Sequence, residues 1–318
     1  MTPRVTVIIC TRDRDPQLEQ CLRALHDQWF RDFDVLVVDN GAGDATADVC
    51  RTLGASCIRE AVPGLTRARN LGARAARGEL VAYIDDDAVA EPGWLSALAA
   101  EFEDPTVAAV AGRTRYMKAD ATSLVMSGED AVGEVDPRPR RRFERGQAEW
   151  FELAAFGGIG DGNTMMFRRE VLTSTTRFDE RIGRGCLIDS GDEHVAFMSL
   201  LSDGFHVVHA PDAVVRHPVP AAVADRHAKR LRDARGSAAY MFFLWSQFPR
   251  HRIDIARFVL SRLWRRGRAA GHDRRVAPLS LREQLSAAVD GYRRYVEAAR
   301  HWATPPTGSP LARVVTLR

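Results

Sequence analysis

An α/β fold with a mostly parallel sheet, helices on both faces and a C-terminal helical extension is what this sequence predicts. Three observations lead there. Apolar runs of strand length alternate with segments whose apolar residues recur at helical spacing, from Val5 to Ala111. Acidic residues and glycine turns stand directly after several of those runs, where ligands collect in open α/β sheets. After Ala221 the chain reads as helical almost to its end, with a strong excess of Lys and Arg.

Val5 to Cys10 is a buried strand. Asp15 and Pro16 then supply an N-cap and a first-turn proline for a helix marked by Leu18, Cys21, Leu22, Leu25 and Trp29. Val35 to Val38 (strand), Thr46 to Leu53 (helix), Ala55 to Arg59 (strand), Leu65 to Ala76 (helix) and Leu80 to Ile84 (strand) continue the alternation. Trp94 to Phe102 (helix) and Val107 to Ala111 (strand) complete it, and such spacing implies crossover connections and a parallel sheet. Beyond Arg113 the rhythm breaks. Asp136 to Arg145, D-P-R-P-R-R-R-F-E-R, is expected to be a mobile surface loop, because its prolines exclude it from a central strand. Strand-like and helical pieces resume from Phe156 to Val215, and Pro305 to Pro310 ends the helical tail. The expected division is a domain at 1–220 and a basic helical extension at 221–318, without internal repeats.

The chain has 318 residues, 45% apolar and 27% charged, as expected of one large globular domain with an appendage. Its longest apolar stretch, Ala238 to Trp245, is far short of the roughly 18–20 residues of a membrane span. No secretory leader is visible, so a cytoplasmic location is expected. Five widely spaced cysteines without a C-x-x-C pair argue against a disulfide framework or zinc knuckle and read as buried thiols. The net charge of +3 hides an asymmetry: residues 226–275 hold 14 Lys/Arg against 3 Asp/Glu, so the remainder is acidic. Such a tail suits phosphates or an anionic membrane surface, or is simply a solvated Arg-rich face.

The sharpest chemical feature is Asp85-Asp86-Asp87, placed directly after an apolar strand. Three adjacent carboxylates repel one another, and hard oxygen ligands of this kind suit Mg²⁺ or Mn²⁺ shared with substrate phosphates. An acidic turn capping the next helix is the plainer reading. Asp39 and Asn40 end the second strand before a glycine turn, where Asp39 can accept from a nucleobase N–H or merely serve an Asx-capped turn. Thr46 stands where a dinucleotide fingerprint needs its third glycine, and no G-x-x-x-x-G-K-[ST] exists, which disfavours dinucleotide and P-loop functions.

The order of these motifs resembles the inverting family 2 glycosyltransferases of the GT-A fold, over roughly residues 3–220. The likeness runs through Ile8-Ile9-Cys10-Thr11-Arg12-Asp13, Val38-Asp39-Asn40-Gly41, Gly64, Ala68-Arg69-Asn70-x-Gly72, Gly78-Glu79 and the aspartate triplet. It implies donor binding by Thr11, Arg12, Asp13, Asp39, Asn40, Arg69, Asn70, Asp85 and Asp86, with Asp87 on the metal. Gly160 to Arg169 is similar to the family's sugar and acceptor pocket, which assigns Gly162 and Asn163 there. Gly191-Asp192-Glu193-His194 stands where members usually show Gly-Glu-Asp. The acids are exchanged, so the resemblance implies Glu193 as catalytic base with Asp192 as the alternative; without it, the pair reads equally well as a helix-dipole cap. His217 resembles the family's late metal-binding histidine, whereas His209 reads as core.

A mechanism follows from the resemblance: Asp87 and His217 hold Mg²⁺ or Mn²⁺ against the leaving diphosphate while Glu193 deprotonates the attacking hydroxyl. Arg226 and Arg230 are candidates to fold over the diphosphate. The expected partners are a nucleoside diphosphate sugar, with uridine diphosphate the commonest carrier in the family, and an unidentified hydroxyl acceptor of glycan, lipid or natural-product type; no nucleic acid is expected. The alternatives are a sugar nucleotidyltransferase, disfavoured because the first strand does not enter a Gly-rich loop, and a non-catalytic carbohydrate-binding protein, which would not need two acidic clusters. Tyr240 to Phe248 and Ile253 to Trp264, with Arg257, Arg262, Arg265 and Arg266, suit peripheral contact with an anionic membrane or packing on the main domain.

Overall fold

The computed structural model describes residues 2–119, 126–131, 138–174, 178–219, 223–265 and 279–302. The first half follows the alternation: β1 (Val5–Thr11), α1 (Asp15–His26), β2 (Phe33–Asp39), α2 (Ala45–Thr52), β3 (Ser56–Arg59), α3 (Leu65–Ala75) and β4 (Leu80–Asp85). There follow β5 (Val89–Ala90), α4 (Trp94–Ala100), β6 (Val107–Ala119), β7 (Met126–Ala131), β8 (Arg141–Phe143) and α5 (Trp150–Ala155). The chain continues through β9 (Thr164–Arg168), α6 (Arg169–Ser174), α7 (Asp192–Ser202), β10 (His206–Val219), α8 (Val223–Gln247), α9 (Arg252–Arg265) and α10 (Leu281–Arg300).

The sheet order is β3-β2-β1-β4-β9-β6-β10-β5, with β7 on β6 and β8 on β10. Strands β3, β2, β1 and β4 are mutually parallel, as are β6 and β10, while β9 runs antiparallel between β4 and β6. The central sheet is thus mostly parallel, with one reversed strand at its middle. Successive residues of a strand face opposite sides, and the apolar residues here feed two cores. Ile8, Val81, Tyr83, Met165 and Phe167 join one cluster with α3, α5, α7 and α8. Val7, Ile9, Leu80, Ala82 and Met166 join the other with α1 and α4.

Several sequence expectations need correction. Asp15 is the first residue of α1 rather than its cap, and its carboxylate accepts from the Thr46 hydroxyl at 2.9 Å. Helix α1 ends at His26, so Trp29 lies beyond it, 73% exposed beside Gly93, because Asp27 already turns the chain toward β2. The segment expected to be a mobile loop is structured where it is described. Residues 141–143 form the edge strand β8, antiparallel to β10, and Arg140 and Arg142 pair with Glu101 and Asp104. Pro139 precedes this strand, so its missing N–H removes no ladder hydrogen bond.

The C-terminal helices share the main core. Ala239, Tyr240, Phe243 and Leu244 of α8 are buried in the same cluster as α7. Arg181 is paired to buried Asp179 and sits between the rings of Phe243 and Trp302, at 5.5 and 4.9 Å. The Tyr240 ring occupies the space over Gly191, which caps α7 with φ 88°. A Cβ on Gly191 would meet that ring at 2.4 Å. Gly191→Ala therefore combines left-handed strain with overpacking, and is expected to cost about 2–4 kcal/mol in a urea unfolding titration. A midpoint within error of the original would show that α8 does not press on the start of α7.

Candidate active site

The carboxyl ends of β1, β2 and β4 and the loop before α7 surround a cavity of about 450 Å³. The aspartate triplet forms one wall because β4 ends at Asp85 and the following turn carries Asp86 and Asp87. His217 reaches them from β10, with Nε2 at 3.2 Å from Asp87 and 3.9 Å from Asp85. One ligand atom each from Asp85, Asp87 and His217 all lie within 4.8 Å of one another. The His217 Nδ1 stands 3.0 Å from the Pro218 carbonyl, to which it donates. Burial lowers the imidazole pKa but Asp87 and Asp85 outweigh it and raise it, so a cation binding at Nε2 would displace a proton held toward the carboxylates. Two carboxylates and such an imidazole fit a divalent cation, and the nitrogen donor suits Mn²⁺ better than Mg²⁺.

The three carboxyl groups differ in environment. Burial raises the Asp85 pKa against the pull of Arg69, with Asp87 adding repulsion. Burial likewise pushes Asp86 up to about 6, although Arg14 and the Thr11 hydroxyl favour its charged form. For Asp87 burial is outweighed by the hydrogen bond and charge of His217 and by Arg14, which hold it below the ordinary value. Thr11 donates to Asp86 at 2.7 Å, and Arg14 donates to Asp86 and Asp87 at 3.1 and 3.0 Å. Asp86 is thereby tied to β1 and α1, while Asp85 and Asp87 face His217.

Arg69, 4% exposed on α3, connects this wall to the second acidic pair. Its guanidinium donates to Asp192 and, at 2.8 Å, to the Gly162 carbonyl, and stands 3.6 Å from Asp85. Burial would lower the Arg69 pKa, but Asp192 and Asp85 outweigh it and hold the group charged. Asp192 is thus a buried ion-pair partner. Glu193 keeps 19% of its side-chain surface in water, and burial together with the charge of Asp192 pushes its carboxyl up to about 8. A Cβ on Gly162 would stand 3.3 Å from both Arg69 and Glu193, so a side chain there would have to displace one of these groups.

The other sequence candidates divide. Arg12 and Asn40 border the cavity. The Asn40 amide is occupied with the carbonyls of Glu60 and Val62 and accepts from the Gly64 N–H, so it shapes the loop beside the cavity. Asp39 accepts from the Gly41 N–H at 2.8 Å, and Asp13, with φ 55°, accepts from Ala42, so both brace the turn after β2. Asn70 clasps Phe178 through both amide atoms and stands outside the cavity lining, and Asn163 accepts from the Thr114 hydroxyl. His209 is 1% exposed in β10, in keeping with its reading as core.

Of the tail cations, the Arg226 side chain lies outside the described residues and Arg230 is not on the cavity lining; Lys229 and Arg232 of α8 are. They stand three residues apart, on one helical face a turn beyond Arg226, so periodicity could have found them. Arg14, alternating with Arg12 in Cys-Thr-Arg-Asp-Arg-Asp, could have been found too. Arg184, which also lines the cavity, carries no local signal.

A family model described as Glycosyl transferase family 2 matches residues 6–174. The pre-mycofactocin glycosyltransferase of Mycobacterium tuberculosis is 35% identical over 235 residues, 72% of this chain and 44% of that one. An N-acetylglucosaminyltransferase of Rhizobium meliloti is 26% identical over 248 residues, 74% of this chain and 56% of that one. The chain thus spans about half the length of these relatives. Among solved structures, the mannosyltransferase PcManGT from Pyrobaculum calidifontis, in complex with GDP-Man and Mn²⁺, superposes with TM-score 0.54 at 20% identity, covering 99% of this chain and 79% of that one. S. aureus TarS 1-349 in complex with UDP superposes with TM-score 0.51 at 14% identity, covering 99% and 75%. These likenesses show the GT-A fold.

Proposed function

Because this chain belongs to glycosyl transferase family 2, we propose that it moves a sugar, with inversion, from a nucleoside diphosphate donor to an acceptor hydroxyl. The observation that carries this reading is the convergence of Asp85, Asp87 and His217 on one point of the cavity wall, with Glu193 beyond Arg69. A divalent cation bound to those three residues would neutralise charge on the departing diphosphate. Lys229, Arg232 and Arg184 line the same cavity and supply further positive charge for the phosphates. Arg12 and the loop held by Asp13, Asp39 and Asn40 form the nucleoside end. Uridine diphosphate is the first donor carrier to test, with guanosine diphosphate the second, since the solved neighbours hold UDP or GDP-Man.

Glu193 removes the proton of the attacking hydroxyl in this scheme. Asp192 accepts from Arg69, and that pair holds the start of α7 with Glu193 beside Gly162. Its raised pKa means that Glu193 carries a proton at neutral pH in the free protein and loses it as pH climbs through about 8. The experiment is a panel of nucleotide sugars assayed for slow donor hydrolysis with Mn²⁺, Mg²⁺ or chelator. Release of nucleoside diphosphate with one sugar nucleotide, abolished by chelator and better with Mn²⁺, is the expected result. Pyrophosphate release would instead mean a nucleotidyltransferase, and no turnover of any donor would leave only a binder.

A further inference from the structure

Of the eleven large apolar side chains exposed among the described residues, eight lie in the C-terminal helices: Trp245, Ile253, Val259, Leu260, Leu281, Leu285, Val289 and Tyr292. They are not scattered. On α9, Ile253 and Leu260 fall at helical spacing with exposed Arg257 between them, while Ile255 and Phe258 on the other side pack inward, Phe258 stacking on Phe156 at 3.7 Å. On α10, Leu281, Leu285, Val289 and Tyr292 form a single stripe at 71, 60, 50 and 51% exposure, opposite Ala287, Gly291 and Ala298, which are buried. Arg252 lies over the half-exposed Trp245 ring at 5.6 Å, an aromatic and cation pair turned to the surface.

The stretch through α8 and α9 is strongly basic, whereas α10 is nearly balanced, with Arg282, Arg293, Arg294 and Arg300 against Glu283, Asp290 and Glu297. Residues 226–275 carry 14 Lys/Arg against 3 Asp/Glu. Most of the acids present are engaged within the protein: Asp233 with Lys229, Asp254 with His251, Glu283 with His227 and the Ser280 cap, and Asp290 with Arg235. Among the described residues of α9 the exposed side chains are Arg252, Ile253, Arg257, Val259 and Leu260, apolar and cationic together with no exposed acid. A surface of that composition matches an anionic bilayer, whose headgroups attract arginine while the acyl boundary accepts Leu, Ile and Trp. No described helix is long and apolar enough to cross a membrane.

We propose that the α9 and α10 stripes, with Trp245, dock this protein on the surface of an anionic lipid bilayer. None of the stripe residues lines the cavity formed by the aspartate triplet and His217.

The test is sedimentation of the full chain with vesicles of phosphatidylcholine alone or mixed with phosphatidylglycerol, at low and high salt. Binding is expected only to the mixed vesicles, weakening as salt screens the arginines. Ile253→Ser with Leu260→Ser, and separately Leu285→Ser with Val289→Ser, are expected to lower the bound fraction severalfold, and Arg257→Glu about tenfold or more, since each charge near an anionic surface is worth roughly fivefold. Donor hydrolysis by these variants should be unchanged, which separates failure of docking from failure of the transferase reading. The proposal is overturned by absence of binding to the mixed vesicles at low salt, by equal binding to neutral ones, or by wild-type binding in all three variants. It is equally overturned if light scattering shows a dimer that the same substitutions dissociate, for the stripes would then cover a second copy.

Discussion

Asp87→Ala is expected to lower donor turnover about a thousandfold and to weaken Mn²⁺ binding in parallel, because it removes the carboxylate that His217 and Arg14 hold ionised. The substitution leaves β4 intact, since Asp87 lies in the turn after the strand, so circular dichroism and the unfolding midpoint should change little. His217→Ala should weaken Mn²⁺ binding as well, while leaving the Arg14 contacts of Asp86 and Asp87 in place. The measurement is Mn²⁺ titration by electron paramagnetic resonance beside release of nucleoside diphosphate. Retained affinity and turnover in Asp87→Ala would remove the cation from the mechanism and with it the role of the triplet.

Glu193→Gln is expected to reduce kcat by a factor of about 10²–10⁴, the usual range for loss of a general base, with donor KM and Mn²⁺ affinity unchanged. The wild-type rate should rise with pH through about 8, and this limb should vanish in the variant. Stability should move the other way. The folded-state pKa is raised from the ordinary 4.5 to about 8, so the folded state resists ionisation and loses stability as pH climbs between those values. Glutamine removes that loss, and its advantage should grow across the same window and level off above it. A gain on the order of 2 kcal/mol is expected, below the full linkage value because Glu193 keeps part of its surface in water and shares a field with Asp192. Asp192→Asn should behave oppositely, leaving buried Arg69 without its partner at a cost of about 3 kcal/mol. An inactive but stable Asp192→Asn beside an active Glu193→Gln would exchange their roles.

The alternation of strands and helices was legible because each apolar run has the period of its element. Val7 and Ile9 face one core and Ile8 the other, and α1 shows Leu18, Cys21, Leu22 and Leu25 on a single face. The reversed strand β9 was not legible. Thr164 to Arg168 is apolar enough for a buried strand, but nothing in five residues states which neighbours it joins or in which direction it runs. Trp29 misled for a similar reason, since its spacing continues the helical pattern while the chain turns after His26. The run of Pro and Arg did exclude a central strand, yet the edge pairing of β8 depends on the acids of another segment, Glu101 and Asp104.

Local order in the chain determined the aspartate triplet after β4, the motif at the end of β1, the acidic pair opening α7 and the basic character of the tail. These are properties of neighbours in sequence, and a strand end or a helix start places its adjoining residues without help from afar. Only the tertiary structure decided that Asp192 is consumed by Arg69 while Glu193 is left to titrate near 8, and that Lys229 and Arg232 rather than Arg230 line the cavity. Both outcomes depend on burial and on charges brought from distant segments, and electrostatic fields add through space irrespective of the order in which the chain supplies them.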